Sequence, residues 1–494
     1  MKLKATFLAA PLLLAAALPA NAEWNDSIRY RAEAGFSLAA GDHNPFWLAA
    51  NRNGFATTQR NNLYLRLGAF KDMNKEKRFD WGAGIDMGVG HRYQSTFLPQ
   101  QLYAEVQYRC LDAMIGAKEL HDPIVPADLS SGALTMSENA HPIPQIRVGI
   151  FDYAGFWGCN EWFAVKGHIA YGMFDDNWWI NRWVDKKTRY SLNTLYSSKA
   201  IYFRGGDARK FPLEGELGLC MDTQFGGKTW YPNASEEGGG HWHKNPTDFK
   251  AFVKALVPLG GDSSTSAGEQ NNVQGNMLGN WSFSLKWADP SGWMVKLYYQ
   301  HYFEDHSMLF FDYPWKDGLY GVQGKLPKNP VLSEAVYEFL YMKDQSGPVY
   351  WDHTSTINHQ VSGRDEYYDH YIYNGWQQWG MGLGNPLMIS PVYNKNHHLY
   401  FYNTRVRAHH FGLKGEPSQQ VSWRMLGSYT QSWGTYNVPL DKVESNFSFL
   451  AEVKYHPAKL KGWEGCLQFA FDAGSLLGHS YGVSLSVAKT GFFK

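Results

Sequence analysis

The sequence predicts an all-β fold, a transmembrane antiparallel β-barrel of about 18 strands. Three observations carry this reading. Apolar residues alternate with small, polar or charged ones in segments that recur from one end of the chain to the other. After an N-terminal leader there is no run of about 18 apolar residues, so no helical span is expected. The leader itself marks the chain for export.

The leader has the three parts of a secretory signal. Lys2 and Lys4 form a charged start, residues 5–18 an apolar stretch broken by Pro11, and Ala20-Asn21-Ala22 a small-x-small cleavage site. The expected division is a signal peptide over 1–22 and a barrel over 23–494. Roughly 470 mature residues, at roughly 26 per strand with its connection, give the strand number. A mean hydropathy of −0.42 is low for a membrane protein. A barrel reconciles the two, because only alternate residues face lipid. Aromatics form 16% of the chain, with 20 Trp and 30 Tyr, which suits interfacial girdles and sugar-stacking surfaces. Net charge is zero, so no nucleic-acid partner is implied. Cys110, Cys159, Cys220 and Cys466 are too scattered for a disulfide framework or a metal motif, and Cys110 and Cys466 read as strand residues.

The strand pattern is strict in many places. Ile28, Tyr30, Ala32, Ala34 and Phe36 alternate with Arg29, Arg31, Glu33 and Gly35. Leu63, Leu65 and Leu67 alternate with Tyr64, Arg66 and Gly68. Trp81, Ala83, Ile85, Met87 and Val89 alternate with Asp80, Gly82, Gly84, Asp86 and Gly88. A further strand over 101–109 sets Glu105 and Arg109 on the wet face. Such charges are costly in lipid but at ease in a polar lumen. Near the C-terminus, Tyr481, Val483, Leu485 and Val487 alternate with Gly482, Ser484 and Ser486, and the chain ends on Phe492-Phe493-Lys494. Thr247 is placed to cap a short helix whose Phe249, Phe252, Val253 and Leu256 share a stripe. Residues 260–279 read as a polar loop. Residues 331–342 fit either a strand or a helix.

No catalytic signature is present: there is no HExxH, GxSxG or phosphate-loop motif, and no enzyme activity, cofactor or metal is expected. Gly380, Gly382 and Gly384 read as a tight turn of the barrel. His241 and His243, and the doublets His397-His398 and His409-His410, read as loop or lumen residues. Sugar recognition asks for flat aromatic faces beside planar polar groups. Asp175, Trp178, Trp179, Arg182 and Trp183 supply both within one short stretch, expected at a rim or in a loop because it follows a strand over 163–173. Arg364, Asp365, Tyr367, Tyr368, Trp376 and Trp379 form a second such cluster. Asn139 and Arg147 complete the candidates. Girdle aromatics and ordinary turn residues are the competing reading of all of these.

Several segments also carry a family resemblance. They are Pro45-Phe46-Trp47-Leu48-Ala49-Ala50-Asn51-Arg52-Asn53-Gly54, the stretch from Ser131-Gly132-Ala133-Leu134 through Asn139-Ala140-His141-Pro142 to Arg147, Gly275-Asn276-Met277-Leu278-Gly279-Asn280-Trp281, Asp365-Glu366-Tyr367-Tyr368, Tyr373-Asn374-Gly375-Trp376 and Gly384-Asn385-Pro386-Leu387. In these the chain resembles the Wzi-type capsule assembly proteins of Bacteroides-like bacteria. A histidine expected near Ser198 in such proteins is missing. The resemblance implies an outer-membrane barrel with a small periplasmic helical portion. It also implies a non-catalytic, lectin-like protein that attaches capsular or exopolysaccharide to the cell surface. Surface polysaccharide and outer-membrane lipid are then the partners, and a monomer is expected. The alternative from the residues alone is a passive porin or polysaccharide-export channel, with Arg29, Arg31, Arg66, Asp80, Asp86, Glu105 and Arg109 lining a pore of mixed charge.

Overall fold

A computed structural model describes residues 28–155, 162–207, 210–233, 240–257, 274–304, 308–309, 311, 314–327, 329–346 and 365–493. An 18-stranded antiparallel sheet closes on itself. In chain order its strands are β1 (Ile28–Gly41), β2 (Asn62–Lys71), β3 (Phe79–His91), β4 (Phe97–Tyr108), β5 (Leu111–Ala117), β6 (Gln145–Gly155), β7 (Phe163–Met173), β8 (Leu195–Gly205) and β9 (Leu213–Phe225). The second half continues with β10 (Asn276–Ala288), β11 (Met294–Glu304), β12 (Gly318–Lys325), β13 (Glu334–Tyr341), β14 (Val406–Gly415), β15 (Val421–Gly434), β16 (Pro439–Tyr455), β17 (Trp463–Gly474) and β18 (His479–Phe492). Each strand pairs with its neighbours in sequence. β18 returns to β1 in unbroken register from Arg29↔Phe492 to Gly41↔Ser480.

The alternation is resolved inside out. Along β18, Tyr481, Val483, Leu485 and Val487 are exposed on the outer surface, as are Leu63, Leu65 and Leu67 on β2. The polar side is the buried one: Asp86, Glu105, Gln300, Glu338, His410 and Glu452 all lie within the lumen. A soluble sheet would bury the opposite face, so this polarity defines a membrane-spanning barrel. The charges on the wall are matched. Arg66 lies 2.6 Å from Asp86 and 2.8 Å from Glu119, Lys118 2.7 Å from Glu105, and Arg424 3.0 Å from Glu452. The ambiguous segment at 331–342 is β13, with Glu334, Val336, Glu338 and Leu340 facing inward.

Two strand readings are corrected. Arg109 and Cys110 form the turn between β4 and β5, where Arg109 takes a left-handed φ of 56°. Such a turn matches the twist of paired strands, so it ends the alternation that the sequence seemed to carry one residue further.

The two ends of the barrel differ. The chain enters β1 and leaves β18 at one end, where the described connections (72–78, 109–110, 206–212, 289–293, 326–333, 416–420, 456–462) are all short. Every long connection (42–61, 118–144, 174–194, 226–275, 305–317, 342–405) is at the other end. The helices lie in these long connections: α1 (Phe46–Ala49), α2 (Asn177–Trp183) and α3 (Phe249–Leu256).

Helix α3 also corrects the sequence reading. Asp248, not Thr247, is its N-cap, with its carboxylate accepting from Ala251 N at 2.9 Å. The helix packs on the outer wall of β7–β9. Phe252 meets Phe225 and Tyr171, and Ala251, Lys254 and Ala255 are buried. Phe249 and Val253, expected on the packed stripe, are exposed. The outward-facing Lys199 donates to Ala255 O at 2.9 Å. A lysine on that face is tolerated because it satisfies a helix-end carbonyl. Pro258 and Gly260-Gly261, a helix-stop signal in the sequence, lie outside the described residues, as does 260–273 of the expected polar loop, while 276–279 belong to β10 instead.

Leu485→Arg should destabilise the barrel by roughly 2–4 kcal/mol if Leu485 is near mid-membrane. Ser484→Ala, on the wet face, should cost far less. Urea titrations of protein folded into lipid vesicles, followed by heat-modifiable gel mobility, measure both.

Candidate functional site

The lumen is filled by two long connections that meet inside it. Residues 118–144 leave β5 and reach β11–β15, on the far side of the ring. Lys296 donates to Ile124 O at 2.8 Å, His410 lies 2.9 Å from Leu129 O, and Ser131 N donates to Glu338 at 2.7 Å. Ser130 Oγ and Tyr298 OH donate to the same Glu338, at 2.5 and 2.6 Å. Leu134 N donates to Gln300 at 3.0 Å, and Thr135 Oγ1 to Asn280 at 2.5 Å. Wall side chains thus supply partners for backbone that would otherwise be buried unpaired.

The second connection, over its described residues 365–405, locks onto the first. Trp376 Nε1 donates to Thr135 O at 2.7 Å and Asn139 Nδ2 to Gly382 O at 2.8 Å. Tyr368 OH donates to Leu134 O and accepts from Asn385 N at 2.9 Å. A Cβ on Gly384 would stand 2.0 Å from Tyr368 Oη and 2.2 Å from Leu134 O, so only glycine fits. Gly380, at φ 80°, turns the two-stranded ribbon Gln377–Gln378/Met381–Gly382. The glycine turn is present, but within this plug rather than in the barrel wall.

Tyr367, Tyr368, Trp376, Trp379 and Asn139 are therefore buried plug residues and show no ring face or amide to solvent. The structure brings them together but does not offer them to a ligand. Asp365 is half-buried, and desolvation raises its pKa to about 6. Arg364 lies outside the described residues. Arg147, on the luminal wall, donates to His168 Nδ1 at 2.7 Å, and His168 Nε2 lies 2.8 Å from Ser198 Oγ. A histidine thus reaches Ser198 from the neighbouring strand. The His409-His410 pair splits across the wall: His409 meets Tyr337 outside and His410 meets Leu129 O inside, so the doublet cannot converge on one ion.

The remaining candidates sit on or under α2. Asp175 accepts from Trp379 Nε1 at 2.9 Å and from Gln378 Nε2 at 2.5 Å, tying α2 to the plug. Trp178 packs edge-on to Trp379, which also stacks on the ring of His141. Burial pushes the Asp176 carboxyl up to about 7, and the charge of Asp175 adds to this. Burial also lowers His141 to about 4.

Trp179, Arg182 and Trp183 line a cavity of about 1600 Å³ at the long-connection end. Trp179 and Trp183 stack at 4.9 Å with an interplanar angle of 18°, and His397 packs against Trp183. The opposite walls come from residues 57–60, 92–96, 389–397, 402–403 and 475–478, bringing Tyr93, Tyr393, Tyr402, Arg60, Arg92, Asn394, Asn396 and Lys395. Tyr402 OH is fixed by His398 Nδ1 at 2.8 Å and Asn396 Nδ2 at 3.0 Å. This is a rigid, open cup of aromatic faces, amides and cations, suited to stacking on sugar rings and hydrogen-bonding their hydroxyls. Sequence reading missed most of it. The His397-His398 doublet pointed to one wall, but nothing in the sequence joins that segment to Arg60 or Arg92.

Fold and cup together define a plugged, outer-membrane-type β-barrel with a concave polar-aromatic mouth. No protein-family model matches the chain, and no curated protein matches it. Among solved structures it is similar to the Escherichia coli outer-membrane protein Wzi, described as a carbohydrate-binding β-barrel involved in group 1 capsule assembly. That likeness covers 94% of this chain and 84% of the other, at 12% identity and a TM-score of 0.58, and it is one of fold. OccAB2 of Acinetobacter baumannii aligns over 96% of this chain and 100% of its own at 8% identity and a TM-score of 0.49. OpdL of Pseudomonas aeruginosa aligns over 95% and 99% at 8% identity and 0.48.

Two outcomes are expected of the plug. Glu338→Ala strands three buried donors and should cost about 3 kcal/mol or more. It should also raise single-channel conductance in planar bilayers above that of a poorly conducting wild type. Asp176 titrates in the opposite sense to a salt-bridged acid. Its folded pKa lies above its unfolded one, so the native state loses stability as pH rises from about 4 through about 7. Asp176→Asn should flatten that fall and melt higher than wild type at pH 8 in differential scanning calorimetry.

Proposed function

We propose that this chain is an outer-membrane glycan-binding protein that holds capsular or exopolysaccharide on the cell surface without catalysis. The observation that carries the reading is the cup, with Trp183 stacked on Trp179 and Arg182, Asn394 and Tyr402 around it. In this reading residues 1–22 are a cleaved leader and 23–494 form a monomeric barrel in outer-membrane lipid. Bacterial barrels keep short turns inside and long loops outside. The cup then opens outward, where polymer is. The helices fall at that end as well, against the periplasmic placement that the family resemblance implies. Of the residues singled out from sequence, Arg182 and Trp183 are retained as ligand contacts, and Asp175, Trp178 and the buried Trp179 beneath Trp183 as supports. The two-connection plug weighs against a passive porin or export channel. Many weak contacts along a repeating polymer would supply avidity that one cup alone does not.

Removing one stacking face costs about 0.5–1.5 kcal/mol, so Trp183→Ala should weaken glycan binding about three- to tenfold in calorimetry with detergent-purified protein. A clean chromosomal deletion should leave polymer synthesised but shed into the medium. Normal cell-attached polymer in that strain would overturn the proposal.

A further inference from the structure

The cup is not neutral like the chain as a whole. Arg60, Arg92, Arg182 and Lys395 line it, and Asp42 is the one carboxylate among the described residues that does. Asp42 is already engaged, accepting from His479 N at 3.0 Å. All four cations are exposed, and none forms an ion pair with a described residue. Arg60 and Arg92 donate only to main-chain carbonyls, those of Gly41 and Arg60. The luminal wall behaves differently: Arg66, Lys118, Lys414 and Arg424 each face an acid within 3.2 Å. These wall cations are thus balanced by acids, and the four of the cup, which face outward, are not. Three of the four are arginines, whose planar fork matches carboxylate, sulfate or phosphate oxygens in pairs.

We infer that the cup selects an anionic glycan, one bearing carboxylate or another acidic group on its repeating unit. This rests on the glycan-binding reading above and adds the charge of the ligand. The aromatic faces hold the rings, and the four cations read the acid. A rim of like charge also raises the capture rate of such a polymer, and added salt screens both effects.

The test uses the full-length protein in detergent and three uronic-acid polymers (polygalacturonate, alginate and hyaluronate), each beside its carboxyl-methylated, uncharged counterpart. At low salt at least one acid form should bind about tenfold or more tightly than its methyl ester. Raising sodium chloride from about 50 to about 500 mM should remove most of that difference. A variant with Arg60, Arg92, Arg182 and Lys395 all changed to glutamine should lose the preference, with acid and ester binding brought to the same level. Because Arg60 and Arg92 hold loop carbonyls, Arg182→Gln/Lys395→Gln alone should show part of the loss with unchanged heat-modifiable mobility. Asp42→Asn should tighten the acid form. Equal binding of acid and ester, weakened alike by Trp183→Ala, overturns the charge preference and leaves glycan binding intact. No binding to any of the six polymers overturns both.

Discussion

Everything in this chain follows from one constraint: in hydrocarbon, a backbone N–H or C=O must find its partner within the protein. A sheet meets that demand only by closing, since an open edge would leave a row of groups unpaired. The pairing of β18 with β1 over Arg29↔Phe492 to Gly41↔Ser480 provides the closure. Once the sheet is closed, side chains have only two destinations, and they alternate. Leu485 meets lipid and Ser484 the lumen, with no third option, which is why a chain of low mean hydropathy can live in a membrane. The exception tests the rule. Lys199 points outward, but its ammonium caps helix α3 on the outer wall instead of meeting acyl chains.

The same constraint governs the inside. Residues 118–144 cross the lumen without regular structure, and irregular backbone at that depth survives only where something satisfies it. Glu338, Gln300, Lys296 and His410 do so from the wall, while Trp376 and Tyr368 do so from the second connection, to whose Gly382 O Asn139 donates in return. Tyr368 and Trp379 are held at left-handed φ values of 69° and 53°, a conformation that costs about 1–2 kcal/mol per residue. Packing around them is dense enough to impose it. The plug is therefore part of the folded core, not a tethered lid.

Legibility in the sequence divides along the same line. The strands were readable because a period of two is a local property, visible from Ile28 to Phe36 or from Tyr481 to Val487 without knowing any neighbour. Helix α3 was half readable. Its position was clear, yet its buried side was misjudged, because Phe249 and Val253 face away from a wall whose presence the helix sequence does not reveal. The aromatic clusters misled for a different reason. Tyr367, Tyr368 and Trp376 have the chemistry of a sugar platform and also that of a dense plug, and composition does not separate the two. Only burial does. Trp179, Arg182 and Trp183 reached the cup because α2 sits at a rim, as the end of β7 at Met173 indicated. Arg60, Arg92 and Tyr402 could not be found at all, since they meet only through closure of the barrel.

The plug and the cup answer to each other. A cup built on mobile loops would have to be ordered each time it bound, at about 0.5–1.5 kcal/mol for every side chain fixed. Here α2 is tied to the plug through Asp175, Gln378 and Trp379, and the stacked pair Trp179–Trp183 stands on that base before any ligand arrives. A channel needs the opposite arrangement, a lumen clear of backbone and a mouth from which solute readily escapes. A filled lumen disfavours conduction and, in the orientation proposed, leaves a pre-set surface at the outer end. That exchange favours holding a polymer over passing one.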